Sequence, residues 1–260
     1  MDIQGKTLLL TGATGGIGRA MAHALAAQGA SLILVSRDSQ QLQRLRQQLP
    51  GNHLLCAADL ANEQDLLRLV EFCQSQGALD GVINNAGISQ FALTAQQDYQ
   101  RQLQINLITP MRLCQLLLPQ LQTRPEAVIV NVGSAFGSIG YPGFSGYCAS
   151  KFGLRGFTEA LKRELAASAV RVLYFAPRAT DTSINSAAVV EMNQQLGNRM
   201  DSPEFVAAQL LAQLKSSQSR RFLGWPEQLF VRLNGLFPAL VDQALRSKLA
   251  IITKFASQNS

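Results

Sequence analysis

The sequence has few cysteines, few charges and no long apolar run. Cys56, Cys73, Cys114 and Cys148 are scattered without a C-x-x-C spacing, so they read as buried, reduced thiols of a cytoplasmic protein. Neither a disulfide framework nor a metal site is expected. No uncharged apolar stretch approaches the roughly 18 residues that a membrane-spanning helix needs. The start, Met1-Asp2-Ile3-Gln4-Gly5-Lys6, enters a strand almost at once, so a signal peptide is not expected. Charged residues make up only 15% of the 260, against 47% hydrophobic, which excludes a disordered chain and suits one large α/β unit. The net charge of +6 is placed unevenly. From residue 220 onward Arg220, Arg221, Arg232, Arg246, Lys248 and Lys254 stand against Glu227 and Asp242 alone. No dense basic patch interleaved with aromatics occurs, so a nucleic-acid partner is not expected.

What is present is an alternation of short apolar runs with helical patterns. Lys6 to Leu10 reads as a buried strand that runs straight into Thr11-Gly12-Ala13-Thr14-Gly15-Gly16-Ile17-Gly18 and then into a helix from Arg19. Glycines in a strand-to-helix turn let the backbone approach a pyrophosphate, and the helix N-terminus offers it unpaired N–H groups. The second strand, Ser31 to Val35, ends at Ser36-Arg37-Asp38. An acid at such a tip accepts from a ribose 2′-OH, whereas a cation attracts a 2′-phosphate. With Ser36 and Arg37 there, NADP(H) is expected over NAD(H), and Asp38 is the rival consideration.

Further strands follow at His53 to Ala57, Leu79 to Ile83, Glu126 to Val132 and Val170 to Phe175, with a short one at Arg221 to Trp225. Such alternation predicts right-handed βαβ units and a parallel sheet with ligands at the strands' carboxyl ends. Thr11, Arg37, Asp59, Asn84 and Ser134 all fall at those ends. A long helix is predicted from Gln97 to Gln120. Its interior Asn106 either faces solvent or disturbs the helix to hold a water. The Gly140 to Gly146 loop leads into a helix carrying Tyr147 and Lys151, which share a face at a spacing of four. A tyrosine titrates near about 10, and lowering it by about three units requires ~4 kcal/mol of differential stabilisation, to which a neighbouring ammonium contributes.

Together these residues resemble the single-domain branch of the short-chain dehydrogenase/reductase family. The matching pieces are Thr11-Gly12-x-x-x-Gly16-Ile17-Gly18, Asp59-Leu60, Asn84-Asn85-Ala86-Gly87, Asn106, Ser134 and Tyr147-x-x-x-Lys151, spanning about residues 5 to 182. The resemblance implies a Rossmann-type doubly wound parallel sheet of about seven strands in the order 3-2-1-4-5-6-7. It also implies that Gly12, Gly16 and Gly18 shape the pyrophosphate turn, with Thr14, Gly15 and Ile17 beside them. Asp59 and Leu60 would contact adenine, Asn84 would support the central strands, and Asn85, Ala86 and Gly87 would line the cofactor. Tyr147 would exchange the proton, Ser134 orient the substrate oxygen, Lys151 bind the nicotinamide ribose and lower the Tyr147 pKa, and Asn106 hold a relay water. Pro177 and Thr182 would lie near the nicotinamide. The expected substrate is a hydrophobic ketone or secondary alcohol, the expected cofactor NADP(H), and the expected assembly a homodimer or homotetramer. A non-catalytic NADP(H)-binding scaffold and a sugar-nucleotide epimerase are the rival readings.

Two features depart from the family pattern. Arg178 follows Pro177 where the family commonly has glycine, and it is expected to point to solvent or to touch the cofactor or an acidic substrate group. A catalytic domain is assigned to 1–225, with a mobile lid at about 183–200 carrying Val189, Val190, Met192 and Leu196. Phe91, Leu93, Phe136, Ile139, Tyr141 and Phe144 are expected to line the pocket. The remaining 226–260 read as a basic amphipathic extension, interrupted at Pro238, that packs on the body, embraces another subunit or lies on the inner face of a membrane.

Overall fold

In the computed structural model, which describes residues 1–258, seven parallel strands form one sheet in the order β3-β2-β1-β4-β5-β6-β7. They are β1 (Thr7–Thr11), β2 (Ser31–Ser36), β3 (Leu54–Ala57), β4 (Gly81–Asn84), β5 (Ala127–Val132), β6 (Val170–Ala176) and β7 (Arg220–Phe222). The central runs are apolar at consecutive positions because both faces are covered: β5 is buried at every residue. Helices α1 (Gly16–Ala26) and α2 (Ser39–Gln48) pack one face; α3 (Glu63–Ser75) packs the other.

The helix predicted from Gln97 to Gln120 is divided. It runs as α4 (Tyr99–Leu103), a widened π turn (Gln104–Ile108) and α5 (Thr109–Gln122). Two features explain the interruption. Pro110 has no N–H to offer the carbonyl four residues back, that of Asn106. The Asn106 amide bonds the main chain of Ile88 instead, accepting from its N–H and donating to its C=O, both at 2.8 Å. Asn106 is fully buried, so it does not face solvent.

Beyond these lie α6 (Ser145–Glu164), α7 (Ala187–Gln195) and α8 (Pro203–Lys215), the last capped by Ser202, whose hydroxyl accepts from Phe205 N–H. The tail forms α9 (Trp225–Leu236), α10 (Pro238–Arg246) and α11 (Leu249–Gln258). The edge strand ends at Phe222, so Trp225, expected within it, begins α9. Proline cannot continue a helix but suits a first turn, and Pro238 divides α9 from α10 as its position suggests. Helix α11 buries Ile252, Phe255 and Ala256 against α7 and the aromatic Phe144, whereas α9 and α10 leave Trp225, Leu236, Phe237 and Leu240 exposed. All four cysteines are free thiols, and burial pushes Cys73 and Cys114 up to about 12.

Candidate active site

The carboxyl ends of β1 and β4 are sewn together by Thr11. Its hydroxyl donates to Ile83 C=O at 3.3 Å and accepts from the N–H groups of Asn85 and Ala86, each at 3.0 Å. Asn85 returns the contact through its amide nitrogen, 3.0 Å from Thr11 C=O and 3.2 Å from Gly12 C=O. Gly12 takes φ +65°, and a Cβ there would meet Ala86 Cα at 2.8 Å. A Cβ on Gly18 would strike the Gly12 carbonyl oxygen, and one on Gly16 would strike the Thr182 side chain. The glycine turn therefore does more than approach an anion: it admits β4 on one side and the segment after β6 on the other.

Thr14 donates to Ser36 Oγ at 2.8 Å, joining the turn to the tip of β2. Arg37 is exposed at that tip. Asp38, the rival consideration in the sequence, turns away to cap α2. Its carboxylate accepts from Gln41 N–H at 3.0 Å and from the Gln41 side chain at 2.9 Å, and the Gln41 N–H holds its pKa below the usual value. A cleft of about 380 Å³ follows the strand ends and is bordered by Gly12, Thr14, Gly15, Arg37, Asp59 and Ala86 among others. Gly16, Ile17, Gly18, Ser36, Leu60, Asn85 and Gly87 also face it.

Ile17, Asn85, Gly87, Thr182 and Ile184 line this cleft and also a larger cavity of about 470 Å³, so the two adjoin. Ser134, Tyr147, Lys151 and Pro177 lie in the larger one. The Ser134 side chain draws the Tyr147 phenol's pKa down, but burial outweighs this and pushes it up to about 12. Lys151 is buried as well and is pushed down to about 8. Its ammonium donates to Val132 C=O at 2.8 Å and sits 5.7 Å from the centre of the Tyr147 ring. The lowering expected of this pair is thus overridden here, because burial penalises the charged form of each group and the ammonium is turned toward a carbonyl.

Two supports of this centre, Tyr174 and Ser150, carry no sequence signal. Tyr174 on β6 fills the space left by Gly133 and Gly137, where a Cβ would collide with its ring, and its hydroxyl donates to Ser134 C=O at 3.4 Å. Ser150 accepts from the Asn106 amide at 3.0 Å and donates to Tyr147 C=O at 2.7 Å, linking the π turn to α6. Asn106 itself lies behind the cavity wall. Asn84 donates to Asn131 at 2.8 Å between the central strands. Thr182 keeps a buried hydroxyl without a protein partner beside the cavity shared by both clefts.

Other expectations are corrected. Arg178 does not simply point to solvent: it borders the larger cavity, where its guanidinium holds Asp201 in a two-point bond, 2.7 and 3.0 Å, and reaches Glu227 at 3.4 Å. That pairing raises the guanidinium's pKa. Asp201 follows the expected lid, and its main chain bonds Ala179 and Asp181, so Arg178 fastens the base of the lid to the first turn of α9. Phe136, Ile139, Tyr141 and Phe144 line the cavity as expected. Phe91 instead lies buried beneath Phe144, ring centres 4.8 Å apart, and Leu93 is on the surface, because the turn at Gly143 admits only the former. Val189 and Met192 of α7 line the cavity; Val190 and Leu196 do not. The opposite wall was missed: Val241, Ala244, Leu245 and Lys248 come from α10 and the turn after it.

The family model for short chain dehydrogenases matches residues 6–193. Nodulation protein G of Rhizobium meliloti (strain 1021) is 36% identical over 182 residues, 68% of this chain and 74% of that protein. The 3-oxoacyl-[acyl-carrier-protein] reductase of Bos taurus is 34% identical over 195 residues, covering 74% and 81%. Among solved structures, the 3-ketoacyl-(acyl-carrier-protein) reductase of Brucella melitensis complexed with NADH superposes with a TM-score of 0.74 at 28% identity, over 84% of this chain and 93% of that one. With a family model matching residues 6–193 and the seven-stranded parallel sheet, the chain belongs to the short-chain dehydrogenase family.

Proposed function

We propose that this oxidoreductase is an NADP(H)-dependent carbonyl reductase acting on a hydrophobic ketone, with Tyr147 as proton donor. The observation that carries the reading is that Ser134, Tyr147 and Lys151 line one aromatic cavity that adjoins the glycine cleft. The glycine cradle and the orphaned Thr182 hydroxyl suit a dinucleotide whose carboxamide end reaches the second cleft. Arg37 is free to meet a 2′-phosphate while Asp38 is engaged as a cap, which favours NADP(H). The relatives' reduction of 3-oxoacyl groups, given in their names, supports a ketone as substrate.

When bound, the nicotinamide supplies the hydride to the carbonyl carbon. Negative charge then grows on the carbonyl oxygen, which needs a donor and a proton source at one place. Ser134 Oγ donates a hydrogen bond to that oxygen, and the Tyr147 phenol donates the proton. A phenol kept neutral by burial is in the correct state for that task. Lys151 Nζ, which donates to Val132 C=O at 2.8 Å, would hold the nicotinamide ribose when the cofactor is bound. Asn106 acts by holding the Ile88 segment and Ser150, and a relay water would use the main chain of the π turn, since the side-chain amide is already engaged. Phe136, Tyr141, Phe144 and Met192 supply the apolar lining for the substrate.

The test is a turnover screen with NADPH and NADH across ketones of increasing chain length, using the native protein and Tyr147→Phe. Ketone reduction by the variant is expected to fall by about 10²- to 10⁴-fold with NADPH binding retained. Undiminished turnover in Tyr147→Phe would overturn the mechanism.

A further inference from the structure

The last two helices before α11 have two sides with different surroundings. Inward, Phe230, Val241, Ala244 and Leu245 line the large cavity. Outward, Trp225 is 74% exposed, Leu236 72%, Phe237 58% and Leu240 56%, with Leu229 also open to solvent. Trp225, Leu229, Arg232 and Leu236 recur at spacings of four, three and four, so they form one stripe on α9 with a cation in its middle. Phe237 and Leu240 extend the stripe across the Pro238 break onto α10, which ends in the exposed Arg246. A monomer rarely leaves so many large apolar side chains together without a use for them.

The charges choose between occupants. Glu227 is held by Arg178 and Lys248 borders the cavity, leaving Arg232 and Arg246 against Asp242 on α9 and α10, with Lys254 further on in α11. A second copy meeting this face symmetrically would bring Arg232 against its own counterpart in a desolvated contact, with too few acids to compensate. An anionic lipid surface offers the complementary arrangement. Tryptophan and leucine enter the headgroup boundary, and arginine extends from the same stripe to the phosphates. No described helix is long and apolar enough to cross a membrane, so the contact would be interfacial. We propose that the outer face of α9 and α10, centred on Trp225, Arg232, Leu236 and Phe237, docks the protein onto an anionic bilayer. The cavity wall formed by the inner side of the same helices then lies next to the lipid, where an apolar substrate is concentrated. The docking stands apart from the reaction and is tested apart from it.

Trp225 is the single tryptophan of the chain, so the protein carries its own reporter at the contact. The full-length protein is titrated with vesicles of phosphatidylglycerol and phosphatidylcholine, and separately with phosphatidylcholine alone, reading tryptophan emission and co-sedimentation. The expected result is a blue shift, quenching by brominated lipid, and co-sedimentation with the anionic vesicles that weakens by about tenfold or more at high salt. Leu236→Asp combined with Phe237→Asp should abolish all three while leaving NADPH binding and ketone turnover in detergent-free buffer unchanged. An unshifted emission with anionic vesicles, or equal binding to phosphatidylcholine alone, overturns the proposal. So does dissociation of an oligomer by the double variant in analytical ultracentrifugation, which would assign the face to a second copy.

Discussion

Replacing Arg178 by Met should loosen the lid from the body, at a cost that the geometry allows to be worked out. The guanidinium makes two charge-assisted bonds to Asp201, at 2.7 and 3.0 Å, with side-chain exposures of 17% and 8%. Hydrogen bonds to charged groups contribute about 1.5 to 3 kcal/mol each where well buried, but the two share one carboxylate, so a single figure near ~3 kcal/mol is the reasonable total. The contact to Glu227, at 3.4 Å and closer to solvent, adds at most ~1 kcal/mol. Removing the arginine leaves Asp201 nearly enclosed and unpaired, so Arg178→Met should destabilise the fold by about 3 kcal/mol. At about 2 to 4 °C per kcal/mol for a chain of this size, Tm should fall by about 6 to 12 °C.

The assay is a double-mutant cycle in urea with Arg178→Met, Asp201→Leu and both together, read by far-UV circular dichroism. A coupling of about 1 to 3 kcal/mol is expected, because the double variant removes both charges from the lid base. Steady-state kinetics on the same variants should show KM for the ketone rising more than the Kd of NADPH, since the clamp fastens the substrate side. A coupling below about 0.5 kcal/mol, with Tm unmoved in Arg178→Met, would refute the clamp and return Arg178 to the solvent-facing role expected from sequence.

Three further outcomes follow from the site. Arg37→Ala should weaken NADPH binding by about 1.5 to 3 kcal/mol and leave NADH little changed, measured by fluorescence titration; equal losses would exclude a 2′-phosphate contact. Burial holds Lys151 down at about 8, so its cationic form is lost as pH rises through that value, and kcat/KM for ketone reduction should be level below pH 8 and decline above it. The stability sign is fixed by the same shift. The unfolded lysine keeps its proton up to about 10.5, so the folded protein should gain stability relative to Lys151→Met between pH 8 and 10.5, and a stability difference flat across that window would contradict the buried ammonium. Gly18→Ala sets a Cβ against the Gly12 carbonyl, so the turn must open; NADPH binding should drop by at least about tenfold in calorimetry, and native-like affinity would show that the turn yields.

Much of this architecture was legible from local pattern. The parallel sheet follows from the alternation of apolar runs and helical periods and its strand order from the family resemblance, and the glycine turn from its position between a strand and a helix. Asn106 was noticed because it sits badly in a helix interior, and the π turn is the realised form of that misfit. Where local pattern failed, the partner was distant. The continuous helix from Gln97 to Gln120 was broken by the Ile88 main chain, 18 residues away, acting with Pro110. Phe91 and Phe144 are equally aromatic in sequence, yet only Phe144 reaches the cavity.

The sequence alone determined the β/α order, the glycine turn between the first strand and helix and the shared helical face of Tyr147 and Lys151, because each depends on residues within a turn or two of one another. The tertiary structure alone decided the rest. Arg178 found Asp201 and Glu227, 23 and 49 residues along the chain, in preference to solvent. The tail's amphipathic pattern was visible, but a helix's own period does not say which neighbour covers its apolar residues. Packing buried α11 against α7, set one side of α9 and α10 against the cavity, and left Trp225, Leu236 and Phe237 facing outward.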